Sequence, residues 1–564
     1  MKTNRGRMAS DPTRPQEIDA AAKQHASSKT SSDKTQTDHI VPVGARAAPW
    51  SEDDDCKLGN PLRTRATLTP IEHAKSPSPE RPDFTNCGKP KRQETPIKRA
   101  QPKKLKRVPF RVSRLMEFCT RRELVNQTGH DVWQWPLVAL KELVDNSLDA
   151  CEEAEIAPVI AITVAGHSII VKDNGPGIPA NTISNILDYN IRVSSREAYV
   201  SPTRGAQGNA LKSILPMGYV LNEHQGEDAS GKTIIEANGV AHQIIFSVDH
   251  IKQEPKIAHT TKRSTVTQGT KITIELPTFA ADDEDYRVEH VKASSLKLAE
   301  SYAWLNPHLS LRVTWSGERK IDIKASNPTW QKWLPSWPTS AHWYDSSRFR
   351  RYMAAHIDHR RTITVREFIS EFRGMTGTAK QKLVLAETGA SHVSLHSFFG
   401  TDKANTKNIA RLLAALKRHT KLVQAADLGI IGKEHFYRLM EAAGGDPRTF
   451  DYQKRLGQTD GLPWVVEFAF GIDERGLRAG RGPTRRFITG VNFSPGISNP
   501  FRQLGRRGEG LDAILSQVRA NTTQPVIAAL HVVCPRIAYT DRGKSAIVVE
   551  GDAIMEEDDD DEKF

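Results

Sequence analysis

The stretch LVALKELVDNSLDAC, residues 137–151, decides the fold, because its apolar residues recur at helical spacing. Pro136 precedes it, and proline suits the first turn of a helix. One apolar stripe is predicted from Leu137, Leu140, Val144, Leu148 and Cys151. The opposite face carries Glu142, Asn146 and Asp149, which share one side of a helix. A carboxylate beside an amide can act as a base beside a metal ligand, although taken alone such a face is also typical of an ordinary polar helix surface.

A β-hairpin that ends in a glycine-rich turn follows this helix. VIAITVA (159–165) and SIIVKD (168–173) are β-branched runs joined by two residues, Gly166 and His167, which predicts two antiparallel strands. Gly175 and Gly177 around a proline then allow a tight turn. Asp173 is left at the end of a strand, where its carboxylate can accept a hydrogen bond from an exocyclic amine. As a lone motif, DNGPG is simply a turn.

The third motif is a loop of small residues that runs into a helical pattern. It consists of Gly205, Ala206, Gln207, Gly208, Asn209, Ala210, Leu211 and Lys212. Glycines let backbone N–H groups approach a phosphate, and a helix N-terminus adds partial positive charge. No GK[ST] ends the loop, so it is not a Walker motif.

Charge is unevenly distributed along the sequence. The 564 residues carry a net charge of +12, and basic residues are enriched before Phe110. Residues 1–109 are rich in Pro, Ser, Thr and Lys, which predicts a disordered basic arm that attracts nucleic acid or only aids solubility. Residues 551–564 form an acidic tail.

We expect neither a membrane span nor a secretory signal. The longest apolar run, 526–534, is far shorter than the about 20 residues that cross a bilayer. Five cysteines without CxxC spacing argue against a disulfide framework or a zinc site. The expected location is the cytoplasm, with nucleoid association if the source is bacterial.

The rest of the chain alternates between strand-like and helical patterns, which predicts an α+β protein. Strands are indicated at TIIEA, QIIFSV and KITIEL, and again after Gly461 at WVVEFAF, RRFITGVNF and PVIAALHVV. A Trp- and Pro-rich stretch, 327–345, interrupts regular structure, and 364–441 is helical in pattern. LDAILSQVRA (511–520) is a further helical segment.

Taken together, Glu-x3-Asn-x2-Asp, DxGxG and GxxGxA, in this order, resemble the nucleotide site of the GHKL ATPases, the Bergerat fold. Within that superfamily the chain is similar to B subunits of DNA topoisomerase VI, through Gly269-Thr270-Lys271, LNPHLSL (305–311) and TDRGKSAI (540–547). The resemblance implies a Bergerat-fold ATPase domain with helices on a mixed sheet (110–320). A linker and helical insertion (321–455) and an α/β transducer-like domain (456–550) would follow.

The resemblance also implies ATP and Mg²⁺ as cofactors and assigns roles to residues. Glu142 would be the general base, Asn146 the Mg²⁺ ligand, and Asp173 the acceptor for the adenine amine, supported by Thr270 through water. Residues 205–212 would form a lid over the phosphates, and Lys544 would reach the γ-phosphate from a separate domain. Further nucleotide contacts are expected from Asp149, Gly175, Gly177, Ser195 and Arg196.

The implied partners are DNA, a second copy of the chain that pairs in the presence of ATP, and a topoisomerase VI A-like protein that would cleave DNA. Two alternatives stay open. Ala210 replaces the usual glycine, and GAQGNALKSI is closer to the repair ATPase MutL, so a MutL-like clamp is one alternative. The other is a non-catalytic scaffold that uses ATP only to dimerise.

Overall fold

The computed structural model describes residues 119–189, 198–205, 210–252, 254–277, 286–359, 362–400, 404–474, 485–502, 510–511, 515, 524–540, 544 and 546–548. Several sequence predictions lie outside these residues: the basic arm, the acidic tail, Ser195, Arg196 and Ala206 to Asn209, together with most of the segment LDAILSQVRA. Among the described residues, no helix has the length and apolar character needed to cross a membrane.

A mixed sheet of eight strands forms the base of the first part of the chain. The strand order is β5-β4-β3-β6-β2-β1-β7-β8, and within it β1 and β7 are parallel while the other neighbours are antiparallel. The strands are β1 Val159–Ala165, β2 Ser168–Lys172, β3 Gly231–Ala237, β4 Val240–Asp249, β5 Glu254–Arg263, β6 Thr270–Glu275, β7 Ser310–Trp315 and β8 Glu318–Ile323.

The predicted hairpin is confirmed, since β1 and β2 pair antiparallel with Ala165 opposite Ser168. Gly166 in the connection has φ +53°, a conformation that glycine adopts without strain. The predicted strands at β3, β4 and β6 are also confirmed.

The described residues of this part form six α-helices: α1 Arg121–Thr128, α2 Trp135–Glu153, α3 Ala180–Leu187, α4 Ala210–Ile214, α5 Met217–Leu221 and α6 Tyr286–Leu305. The apolar stripe predicted for α2 is confirmed, because all of its members are at most 4% exposed. Its four aliphatic members share one core with alternate residues of β1 and β2, such as Ile162 and Val171. The polar face of α2 therefore points away from this core, as the spacing requires.

A helical block, defined here as residues 346–443, follows the Trp- and Pro-rich stretch. Its helices are α7 Ser346–His359, α8 Val365–Ile369, α9 Thr378–Thr388, α10 Leu395–Phe399, α11 Thr406–His419 and α12 Lys433–Ala443. A capping box between Thr364 and Glu367 starts α8. The Trp- and Pro-rich stretch itself contains only one short 3-10 turn, Ala341–Trp343, so the predicted break is confirmed.

A second sheet of five strands completes the described chain, in the order β12-β11-β13-β10-β9. The strands are β9 Asp451–Thr459, β10 Leu462–Ile472, β11 Arg486–Val491, β12 Ser494–Pro495 and β13 Val526–Val533. The end of α6 lies in one hydrophobic core with the helical block and this sheet, through Trp304 and Leu305 on α6 and Val465 and Ile488 on the sheet. The second sheet is therefore joined to the first part by buried apolar surface.

Gly269 lies where β6 approaches the end of β2 too closely for a side chain. Its φ is +76°, and an added Cβ would stand 2.0 Å from the carbonyl oxygen of Asp173. We predict that Gly269→Ala lowers the free energy of unfolding by about 2–5 kcal/mol, since strain and overpacking add. Urea unfolding followed by tryptophan fluorescence measures the loss.

Gly166→Ala is the matched control for this prediction. Gly166 also has a positive φ, but nothing lies within 4 Å of an added Cβ. We expect this variant to lose only about 1 kcal/mol, the cost of the left-handed conformation alone. Equal losses in the two variants would contradict the close approach at Asp173.

Candidate nucleotide-binding site

Helix α2 presents its predicted polar residues at the surface opposite its buried stripe. Glu142 and Asp149 are half-buried, and Asn146 is exposed. Burial raises the pKa of Glu142, which the neighbouring Lys141 opposes and Asp145 reinforces. A carboxylate with a raised pKa beside an accessible amide is suited to taking a proton next to a bound cation.

Asp173 is held between α2 and β6 by three donors. Its Oδ1 accepts hydrogen bonds from the backbone N–H groups of Gly175 (2.9 Å) and Thr270 (3.0 Å). Its Oδ2 accepts from the hydroxyl of Ser147 at 3.2 Å. Burial raises the pKa of Asp173, and the two backbone donors oppose that rise. Through the Ser147 hydroxyl, the Asp173 carboxylate is therefore attached to α2 at the residue that follows Asn146.

Both glycines of the DNGPG turn have a structural reason. A Cβ on Gly175 would stand 3.1 Å from Oδ1 of Asp173. Gly177 has φ +82°, and its Cβ would stand 2.9 Å from Oδ1 of Asn238. The turn that carries Asp173 therefore depends on the absence of side chains at these two positions.

The structure describes only the two ends of the predicted lid. Gly205 precedes the undescribed residues, and no atom lies within 4 Å of a Cβ added to it. The chain returns at α4, where Leu211 is half-buried. The ammonium of Lys212 donates to the carbonyl of Asp188 at 2.6 Å, beside the ring of Tyr189. Its contact with phosphate stays a prediction.

Arg204, immediately before the predicted lid, is a central residue that the sequence analysis missed. It is 3% exposed, and its guanidinium lies 2.7 Å from Asp149 and 2.6 Å from Glu152, both on α2. It also donates to the side-chain oxygen of Asn306 at 2.7 Å. The start of the lid is thus fixed to α2 by buried ion pairs, and the carboxylate of Asp149 is engaged there.

The Glu152 carboxylate has two further side-chain partners besides Arg204. Lys332 lies 2.9 Å from its carboxylate, and His308 lies at the same distance. Burial alone would raise the pKa of Glu152, but the charges of Arg204 and Lys332 lower it well below its ordinary range. Glu152 is therefore ionised, and its partners satisfy both carboxylate oxygens.

Lys544, predicted to reach the site from a separate domain, lies next to Arg204. Its ammonium donates to the backbone carbonyl of Arg204 at 2.7 Å. Burial lowers the pKa of Lys544, as does the charge of Lys141, while Glu142 and two aspartates of α2 oppose this. A residue that follows the second sheet in the chain thus contacts the residue before Gly205.

No local sequence pattern identifies Arg204, Asn306 or Glu152 as site residues. Arg204 stands alone among small residues, and Asn306 lies about 100 positions later inside LNPHLSL. Glu152 belongs to the same helix as Glu142, but only the folded contacts distinguish it from an ordinary surface acid.

We predict that Arg204→Met lowers the free energy of unfolding by about 3 kcal/mol or more at neutral pH, because it leaves buried carboxylates without their main partner. Arg448→Met is the matched control: its side chain is 83% exposed beside Asp446, so a loss too small to resolve is expected. Urea unfolding of both variants measures the difference. Equal small losses would contradict a structural role for Arg204.

The pH dependence of this loss has a definite sign. The depressed pKa of Glu152 stabilises the folded state above the ordinary carboxylate pKa of about 4.3, and this stabilisation is lost as the pH falls. The difference in unfolding free energy between wild type and Arg204→Met should therefore narrow as the pH falls below about 4.3, toward the depressed pKa of Glu152. A gap that widens would contradict the ion pair.

Comparison with known proteins bears on this geometry. Residues 135–279 match the protein family described as histidine kinase-, DNA gyrase B-, and HSP90-like ATPase. The B subunit of type 2 DNA topoisomerase 6 from Archaeoglobus fulgidus is 22% identical over 435 residues, which are 74% of this chain and 68% of that protein. Its counterpart from Methanococcoides burtonii is 23% identical over 434 residues, 73% of this chain and 64% of that protein. The chain thus spans about two thirds of the length of these relatives.

Among solved structures, the Aquifex aeolicus MutL ATPase domain complexed with ADP aligns with 69% of this chain and 89% of that chain. The identity is 11% and the TM-score is 0.28, and a TM-score this low supports no conclusion about function.

The range matched by the family begins at the first residue of α2 and includes Glu142, Asn146, Asp173 and Thr270. Residues 135–279 are therefore an ATPase domain of the histidine kinase-, DNA gyrase B- and HSP90-like family, which confirms the predicted GHKL ATPase, in a chain that is similar to the B subunits of type 2 DNA topoisomerase 6.

Proposed function

We propose that the protein is a Mg²⁺-dependent ATPase whose two copies close on ATP and which acts in DNA topology, as a B-type subunit that works with a separate DNA-cleaving protein. The observation that carries this proposal is the arrangement around α2. Glu142 and Asn146 lie on its polar face, Asp173 is bonded to the helix through Ser147, and Lys544 contacts the start of the lid.

The residues fit an adenine nucleotide. Two backbone donors occupy Oδ1 of Asp173, whereas Oδ2 accepts only the Ser147 hydroxyl among the described residues. A carboxylate oxygen has a second lone pair, which would accept the exocyclic amine of adenine. A guanine carries a carbonyl at that place, so this contact would favour ATP over GTP.

The residues also fit Mg²⁺. The described residues contain no cluster of three or more His, Cys, Asp or Glu side chains that would hold a metal by itself. Mg²⁺ is commonly held by one or two protein oxygens together with nucleotide phosphates and water. The exposed amide of Asn146 would supply such an oxygen. When bound, the ion would offset negative charge on the phosphates.

Glu142 would supply the proton chemistry. A water molecule between its carboxylate and the γ-phosphate would be oriented for in-line attack and would pass its proton to Glu142. The raised pKa of this carboxylate brings its proton affinity closer to neutral pH. Lys544 and the lid would then offset the negative charge of the phosphate oxygens.

The role in DNA topology is supported by the similarity to topoisomerase 6 B subunits, and two assays separate it from the alternatives. The first asks whether a non-hydrolysable ATP analogue makes the purified protein dimerise and whether ATP then releases phosphate. Dimerisation without phosphate release would favour the scaffold. The second asks whether ATP-dependent relaxation of supercoiled DNA appears when a topoisomerase 6 A-type protein is added. Hydrolysis and dimerisation without relaxation would favour a MutL-like clamp.

We predict that Glu142→Gln lowers kcat for ATP hydrolysis at least about a hundredfold, the usual contribution of a general base. ATP binding, measured by calorimetry, should stay within about threefold of wild type. In the wild type, kcat/KM should fall on acidification with a midpoint above about 4.3, because burial raises the pKa of Glu142. Undiminished turnover in the variant would remove Glu142 from the reaction.

We predict that Lys544→Ala lowers kcat by about fivefold or more, equivalent to about 1 kcal/mol of barrier. The reason is the loss of a positive charge that reaches the start of the lid at Arg204. Lys433→Ala, an exposed lysine on α12, is the matched control and should hydrolyse ATP at the wild-type rate. Identical kinetics in the two variants would leave Lys544 without a role in hydrolysis.

A further inference from the structure

The turn between β11 and β12 is strained, and it points into the ATPase domain. Its two central residues, Asn492 and Phe493, have φ values of +50° and +65°. Such two-residue turns favour Asn-Gly, because both positions need a positive φ. A bulky residue in this conformation costs about 1–3 kcal/mol, so surrounding contacts must hold it.

Phe493 contacts three different parts of the protein through its backbone and its ring. Its N–H donates to Nε2 of His531 on β13 at 3.0 Å, and its carbonyl accepts from the Asn306 amide at 3.0 Å. Its fully buried ring packs edge-on against Trp330, with ring centroids 5.1 Å apart. The strained conformation is therefore fixed by the second sheet, the ATPase domain and the linker together.

The residues on either side of Phe493 also bond to the ATPase domain. The Asn492 amide donates to the carbonyl of Thr203 at 3.3 Å, one residue before Arg204. The Ser494 hydroxyl donates to Oδ2 of Asp145 at 2.9 Å. One turn thus reaches both the start of the lid and the helix that carries Glu142.

Ser494 completes a buried polar triangle on α2. Lys141 donates to the Ser494 oxygen at 2.7 Å and to Asp145 at 2.6 Å. The Tyr302 hydroxyl lies 2.8 Å from the other oxygen of Asp145. The contact between Lys141 and Asp145 is an ion pair within hydrogen-bond distance, so the triangle contains a positive and a negative group side by side.

The triangle flanks the residues proposed to act on ATP. Lys141 immediately precedes Glu142, and Asp145 immediately precedes Asn146. Both charges of the triangle act on the Glu142 carboxylate, Lys141 favouring its ionised form and Asp145 opposing it. The position of these two charges consequently affects how readily Glu142 takes up a proton.

We propose that Ser494, on the second sheet, is a positioning residue for ATP hydrolysis: its hydroxyl holds Lys141 and Asp145 in the arrangement that sets the charge beside Glu142. This inference rests on the proposed ATPase function. Ser494 touches neither nucleotide nor water in this scheme and acts through the Lys141–Asp145 pair. The second sheet would thereby influence catalysis through α2 itself, in addition to the contact that Lys544 makes with Arg204.

The test is Ser494→Ala in the full chain, assayed for kcat, ATP affinity and the midpoint of thermal unfolding. We expect kcat to fall about tenfold, the loss typical of removing a hydrogen bond to a buried charged group. ATP affinity should stay within about twofold. Ser247→Ala is the matched control, because that hydroxyl donates to the carbonyl of Lys256 on the edge strand β5.

A second variant shows whether Ser494 acts through Lys141. In a Lys141→Met background, Ser494→Ala should lower kcat by less than about twofold, because residues acting in one network are not additive. The same tenfold fall in both backgrounds would overturn the proposal, as would wild-type kcat in Ser494→Ala. A parallel fall in kcat, ATP affinity and thermal midpoint would show a merely structural role. Absence of ATP hydrolysis in the wild type would instead refute the proposed function.

Discussion

The buried guanidinium of Arg204 is the interaction on which the described architecture depends. Taking such a charge out of water is costly unless opposite charges and hydrogen bonds surround it. Asp149 and Glu152 supply the charges, and Asn306 supplies an oxygen. Because both carboxylates belong to α2, the start of the lid and the helix with Glu142 are held as one unit.

Among the described residues, both the second sheet and the segment that follows it contact this unit. Lys544 donates to the backbone of Arg204, and the turn at Phe493 reaches the Asn306 amide that Arg204 also uses. The turn also donates a hydrogen bond to His531 on β13, whose ring lies 3.6 Å from the Glu467 carboxylate. Glu467 in turn accepts from the backbone N–H of Gly432, just before α12. Buried contacts therefore connect the start of the lid to the second sheet and the helical block.

Local patterns predicted the core of the fold, and long-range contacts were beyond them. The α2 stripe and the first hairpin follow from periods of 3.6 and 2 residues. The edge strands β5 and β9 were missed, because nearly all their residues are exposed and no alternation marks them. In the site, the motifs containing Glu142 and Asp173 could be read from spacing. Arg204 and Ser494 could not, since their partners lie 52 and 349 positions away.

We infer that one Mg²⁺–ATP complex binds between α2, the Asp173 turn and the lid. A crystal structure with Mg²⁺ and a non-hydrolysable ATP analogue tests it most directly. We expect the adenine amine within about 3 Å of Oδ2 of Asp173, the metal on the Asn146 oxygen, and the γ-phosphate facing Glu142. A nucleotide bound elsewhere, or one whose phosphates point away from Glu142, would contradict it.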